Sequence, residues 1–384
     1  MPYYRSVGEI PSKRHTKLLR PEGGVYPEEL MGIEGFSQES ALLYHRHSPS
    51  ALVAIEAVED DRPAMTFNNP VTPMHLRALD TERGGDLVAG RRVLVGNQDA
   101  TLSIVQADRS SSLYRNAVGD ELVYVQSGTV TMESVFGRLE VRGGDYVVIP
   151  MSTTHRWVLD SPVEAVVFEF SGHVTVPQRY LSRHGQLLEG APYSERDQRG
   201  PEGLIEGEGT DVPVLVRTRG GVARHVHATH PFDVIGWDGC LYPWALSIHD
   251  FEPIVGRVHQ PPPVHQTFAA PGAVICSFVP RLFDTDPNAV KVPYHHANVD
   301  SDEVLFYSDG EFMSRAGSGI GIGSISLHPA GFVHGPQPGS FESSIDATET
   351  AELAVMMDTF RPLLVSDLAR QVSVSDYLAS WNRA

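Results

Sequence analysis

His296-Ala297-Asn298-Val299-Asp300-Ser301-Asp302-Glu303 and His328-Pro329-Ala330-Gly331-Phe332-Val333-His334-Gly335-Pro336, both towards the C-terminus, put His296, Glu303 and His334 where one metal ion can take all three. Imidazole and carboxylate together suit first-row metals. Two His with one carboxylate is the facial set of non-haem Fe(II) oxygenases, which leaves positions open for substrate and oxygen. The punctuation around these residues is regular. Six residues separate Glu303 from Gly310, five separate Gly323 from Pro329, and His334 follows five positions after that proline. The spacing predicts a ligand-bearing strand, a glycine turn, a return strand, and a Pro/Gly-shaped turn carrying the last histidine. Histidine and glutamate are costly to bury unless paired or metal-bound, so three on this spacing point to a metal.

The same spacing occurs earlier in the chain: six residues separate Glu121 from Gly128, five separate Gly144 from Pro150, and His155 follows five positions later. Strands are expected over 121–125, 129–135, 139–141 and 146–150, broken by Ser127-Gly128, Gly137-Arg138 and Gly143-Gly144-Asp145. This is an internal repeat, and its grammar is that of a cupin barrel. The fold class expected is therefore all-β: a bicupin of two jelly-roll barrels with extended N-terminal segments and few helices. Residues 1–250 are predicted as an N-terminal domain with a degenerate barrel core at about 113–170 plus packed strands and loops, and 251–384 as the C-terminal catalytic cupin. Helix is expected only over 365–371 and 375–381. In the first copy the places of His296 and Asn298 fall on Tyr114 and Asn116, leaving Glu121 and His155 as polar groups satisfied inside a vestigial barrel. Asn298 itself stands where many cupins carry a fourth ligand. A neutral amide keeps that position open to substrate, which suits oxygen chemistry better than a closed site.

Composition narrows the function. Of 384 residues, 41% are hydrophobic, enough to bury a core, and the 35 Gly and 28 Pro suit a protein of many turns. A formal charge of −18 with no long Lys/Arg run argues against nucleic acid. No apolar stretch approaches the roughly 20 residues of a membrane span, and the polar N-terminus lacks a signal-peptide core. With only Cys240 and Cys276 present, a cytoplasmic protein is expected.

Other histidines carry weaker signals. A strand would turn His225 and His227 to one face, but no carboxylate follows at the repeat's spacing. A surface or interface role is the preferred reading for them and His230, with a second metal as the alternative. His45 and His47 lack a third donor nearby, and His295 must face away from His296's side. His265 follows Pro261-Pro262-Pro263, so its imidazole is expected on a rigid loop before a barrel strand, in either a structural or a catalytic role.

With these residues in hand the chain resembles the homogentisate 1,2-dioxygenase family along most of its length. The likeness is carried by Gly35-Phe36-Ser37-Gln38-Glu39-Ser40, Gly119-Asp120-Glu121-Leu122, Gly144 to Pro150, His230-Pro231-Phe232-Asp233 to Gly239, Tyr294-His295-His296-Ala297-Asn298, and Ser326-Leu327-His328 through Pro336. The resemblance implies one Fe(II) per chain on His296, Glu303 and His334, His265 as the active-site base, His328 lining the substrate pocket, and a homo-oligomer of trimers, commonly hexameric. Animal members carry Tyr at the place of Phe312, where its hydroxyl helps hold the substrate's acetate; Phe312 has none. Arg315 and Lys291, the basic residues nearest the triad in sequence, are the candidates to offset a substrate carboxylate.

The partners implied are a small aromatic substrate and O2. A hydroquinone loses its phenolic proton to His265, whose pKa is expected near neutrality. Both oxygen atoms then enter the opened ring, giving maleylacetoacetate from homogentisate. The alternatives are a dioxygenase for another hydroquinone such as gentisate, and a metal-binding bicupin that is no oxygenase.

Overall fold

The computed structural model describes residues 3–59, 62–253, 255 and 262–382. Alternation along single strands lays out its plan. On the strand Glu121–Ser127, Val123 and Val125 join Val130, Met132, Val147 and Trp157 in one buried cluster. Leu122 and Tyr124 join a second cluster, which also holds Phe268, Val304 and Phe306 from the C-terminal half. Successive side chains of a strand point to opposite faces. This strand therefore fills the first barrel with one face and packs on the second with the other. Asp302–Asp309 mirrors it: Val304 and Phe306 enter the shared cluster, while Glu303 and Tyr307 turn towards His328 and Ser326. Each fully buried side chain of this kind contributes about 1.5–3 kcal/mol.

Among the described residues, two sheets build the first barrel. A nine-stranded sheet contains Asp145–Ile149, Glu121–Ser127, Val163–Phe170 and Ala100–Ala107 as neighbours, and a seven-stranded sheet contains Thr129–Ser134, His155–Val158, Tyr114–Asn116, Thr210–Thr218 and Gly221–Thr229. The second barrel is carried by a six-stranded sheet in the order Gln266–Ala270, Ala273–Phe278, Leu353–Thr359, Asp302–Asp309, Ser324–His328 and Met74–Arg77. The protein is thus a nearly all-β bicupin. The repeat glycines occupy the turns: Gly128 and Gly310 have φ of +91° and +85°. A Cβ there would stand 2.6 Å from Pro162 O and 2.0 Å from Ala351 O, so no other residue fits without moving backbone.

The two halves also exchange strands. Met74–Arg77 pairs with Ser324–His328 in the second barrel's sheet, and Leu364–Ser366 pairs with Arg92–Gly96 in the first barrel's sheet. Across the shared cluster, Tyr124 and Tyr146 share hydrogen bonds with the hydroxyls of Ser308 (2.7 Å) and Ser277 (2.8 Å). Without them each buried phenol would cost about 1–3 kcal/mol. The N-terminal segments are short strands as expected: Arg5–Gly8, Glu28–Gly32 and Ser40–His45 form a four-stranded sheet with Val234–Gly239. The first expected helix shortens to Asp367–Gln371, the second is a 3-10 helix over Leu378–Asn382, and a short helix at Ser340–Ser344 was not foreshadowed by any cap signal. No helix among the described residues is long and apolar enough to cross a membrane.

Candidate metal centre

The three donors come together through two local devices. His296 and His334 form an antiparallel bridge, each backbone N–H donating to the other's carbonyl at 2.8 Å, which sets their rings 4.3 Å apart. Glu303 enters from the neighbouring strand. The turn between His328 and His334 is pinned by Ala330 N–H to Asp302 (2.8 Å) and Gly331 N–H to Asn298 O (2.8 Å). The Nδ1–H of His296 donates to Tyr294 O (3.0 Å) and that of His334 to Phe332 O (3.1 Å), so both rings keep Nε2 as the lone-pair nitrogen. Those Nε2 atoms lie 3.6 and 3.4 Å from the Glu303 carboxylate, and the three ligand atoms fall within 4.8 Å of one another. His334 Nε2 is buried and makes no hydrogen bond. A buried acceptor left this way costs about 1–3 kcal/mol, a cost that coordination of a cation removes. The donor set therefore fits a first-row metal.

Electrostatics agree with that fit. Burial alone would raise Glu303, but the facing imidazoles of His296, His328 and His334 hold its carboxyl well below the usual range. Asp358, opposite Glu303 on the next strand, is pushed up to about 7 by burial and then by the Glu303 charge. Asn298 Nδ2 donates to Asp358 Oδ1 at 3.1 Å, so the amide in the fourth-ligand place is tied backwards.

His328 is fully enclosed between Glu303, His334 and Tyr377. It has no exposed surface, stacks on His334 at 4.1 Å, and engages both nitrogens, with Glu303 Oε1 (2.9 Å) and Tyr377 Oη (2.9 Å). Burial lowers its pKa to about 4, so it is a neutral ring that orients the carboxylate. Trp381 closes the same corner, donating from Nε1 to Gly335 O at 3.2 Å. Tyr377 and Trp381 lie in a C-terminal segment whose position beside the metal ligands no local sequence pattern announces.

Arg315 is buried and donates to Tyr307 Oη (3.0 Å) and Gly335 O (2.8 Å), while Phe312 sits half-buried with its ring edge-on to Tyr307 at 4.8 Å. Lys291 donates to Asp284 O. His265 ends a 3-10 turn at Pro262–His265 rather than an extended loop; Pro261 lies outside the described residues. The imidazole is buried against Phe278, with ring centroids 4.6 Å apart and Nδ1 unpartnered. Burial and then the Arg281 charge lower its pKa to about 3, not the near-neutral value expected.

The first barrel holds a guanidinium where the second gathers metal ligands. Arg91 grips Glu121 through two bonds of 2.8 and 2.7 Å and reaches Glu169 at 2.9 Å. Tyr114 Oη (3.0 Å) and Asn116 Nδ2 (2.9 Å) complete the carboxylate's partners. Arg91 precedes the apolar run Val93-Leu94-Val95, and only strand pairing far along the chain brings it to Glu121. Among the described residues the one group of three donors close enough for a metal is His296, Glu303 and His334. His227 and His230 are buried rather than surface residues, and they gather no such group.

Comparison with known proteins supplies the lineage. The family model for the homogentisate 1,2-dioxygenase N-terminal region matches residues 37–248, a span that ends before the metal ligands. Full-length relatives cover those. The chain is 38% identical to a protein of Saccharolobus solfataricus named "Putative dioxygenase", over 99% of both chains. It is 26% identical to homogentisate 1,2-dioxygenase of Emericella nidulans over 87% of this chain and 80% of that one. It is 25% identical to the Caenorhabditis elegans enzyme of that name over 93% and 88%.

Proposed function

Because the chain belongs to the homogentisate 1,2-dioxygenase family, we propose that it holds one Fe(II) on His296, Glu303 and His334 and uses O2 to open the ring of a substituted hydroquinone. Homogentisate is the substrate proposed, with maleylacetoacetate as product. The observation that carries this reading is the convergence of two lone-pair imidazoles and one carboxylate, His334 Nε2 being buried without a partner. Iron in such a facial set supplies open positions for substrate and oxygen and a path for electrons between them.

The chain's own residues do the rest. His328, fixed by Tyr377, holds Glu303 in place. His265 offers a neutral imidazole, the form able to accept the phenolic proton; a developing phenolate nearby raises its basicity from the resting value. Arg315 acts electrostatically on His296 and His328 and can offset an acidic side chain. Phe312 brings no hydroxyl to that task. This favours treating the ring substituent as a separate question from ring cleavage, with gentisate as the second candidate.

An oxygen electrode tests the proposal with Fe(II)-loaded protein and a panel of homogentisate, gentisate and an uncharged alkylhydroquinone. Uptake highest with homogentisate is expected. Uptake with none of the three contradicts an oxygenase, and preference for the uncharged ring contradicts an acidic substrate.

A further inference from the structure

A second polar site lies in the N-terminal half. A cavity of about 50 Å³ is lined by residues of the four-stranded and seven-stranded sheets, among them Glu29, His45, Arg115, His227 and Asp233. None of the triad residues lines it. Its acids are already satisfied: His45 places Nδ1 2.6 Å from Asp233 and Nε2 3.0 Å from Glu29, and Asp233 also accepts from the His47 backbone N–H at 2.8 Å. Burial would lower His45, but these two carboxylates raise it to about 9, so it is an imidazolium hydrogen-bonded to both.

Arg115 has no such partner. Its Nε and Nη2 both donate to one hydroxyl, Thr154 Oγ1, at 2.8 and 2.6 Å, and no ion pair involves it among the described residues. Glu29 is near enough to act on it electrostatically but not to touch it. Beside it His227 is 7% exposed and its Nε2 has no hydrogen-bond partner. Burial, then the Arg115 charge, lowers His227 to about 4, which leaves a neutral ring able to present an Nε2–H donor. The guanidinium opposes a cation in this cavity, and among the described residues no three donors converge there.

We propose that this cavity binds a small carboxylate, its oxygens taken by the Arg115 guanidinium and the His227 Nε2–H. A carboxylate matches the planar fork of a guanidinium better than a tetrahedral anion does. A water position needs roughly 10–15 Å³ by this measure, so the space admits an ion of a few heavy atoms, of acetate size. The site stands apart from the iron chemistry and does not rest on it.

Thermal melts of the full-length iron-loaded chain in sodium acetate, against sodium chloride at matched ionic strength, should show a saturable rise in Tm. Arg115→Met should raise the half-saturating acetate concentration at least ten-fold. So should His227→Phe, which serves if loss of Arg115 prevents folding. Sodium phosphate should need at least ten times the acetate concentration. No saturable rise, or a rise unchanged in both variants as binding at the metal centre would give, overturns the proposal. Equal response to phosphate overturns the carboxylate assignment. A second equivalent of Zn(II), bound by the wild type and lost in His227→Phe, overturns it in favour of a metal.

Discussion

His334 Nε2 is buried and without a hydrogen-bond partner while 3.4 Å from the Glu303 carboxylate. A metal ion held between the two groups would satisfy both. His334→Ala or Glu303→Ala should therefore lose both bound iron and activity, read by metal analysis after desalting; iron kept by both variants would place the site elsewhere. His265 should behave differently, because it packs against Phe278 and is not one of the three grouped donors. His265→Gln should keep iron near one per chain while kcat falls by roughly 10²–10⁴, the range for losing a positioned base. Iron loss or normal turnover would remove it from the chemistry. The triad is legible in the amino-acid sequence because its ligand types stand at fixed distances from turn-forming Gly and Pro. Environment is not legible there: that Glu303 and Tyr377 engage both nitrogens of His328 shows only in the fold.

At the scale of elements, the repeat marks the strands of both barrels and the positive-φ glycines that end them, since period-two alternation and turn residues are local signals. Partnerships between distant elements are not local. Arg91, on a segment thirty residues before Glu121, takes the carboxylate that a metal would otherwise hold. Arg91→Met would leave Glu121 buried without a cation, while Glu169 keeps the Arg217 guanidinium, and loss of one partner of such a pair costs about 3–5 kcal/mol. Urea unfolding should show a markedly lower midpoint with iron still bound by any folded fraction; an unchanged midpoint would mean the first barrel does not depend on this pair. The turn leading into the C-terminal 3-10 helix offers a second case. Tyr377→Phe removes the hydroxyl 2.9 Å from His328 Nε2 and should weaken iron binding about 10–100-fold, measured by chelator competition. Unaltered affinity would make Tyr377 a packing residue only.

Over the whole molecule the halves are interlocked: an N-terminal strand completes the second barrel's sheet, and a C-terminal strand extends the first barrel's. Composition and periodicity can assign barrels, but not which chain segment closes them, because hydrogen-bonded edges accept any extended segment of suitable pattern. One barrel thus becomes a salt-bridged support, and the other gathers His296, Glu303 and His334, with Glu303 on a strand whose opposite face packs on that support. The most direct test of that account is a reaction of Fe(II)-loaded protein with homogentisate under ¹⁸O2, followed by mass spectrometry of the ring-opened product. The account predicts one O2 consumed per ring and both labelled atoms in the product. A single labelled atom, or O2 consumption that yields peroxide and leaves the ring intact, would contradict it.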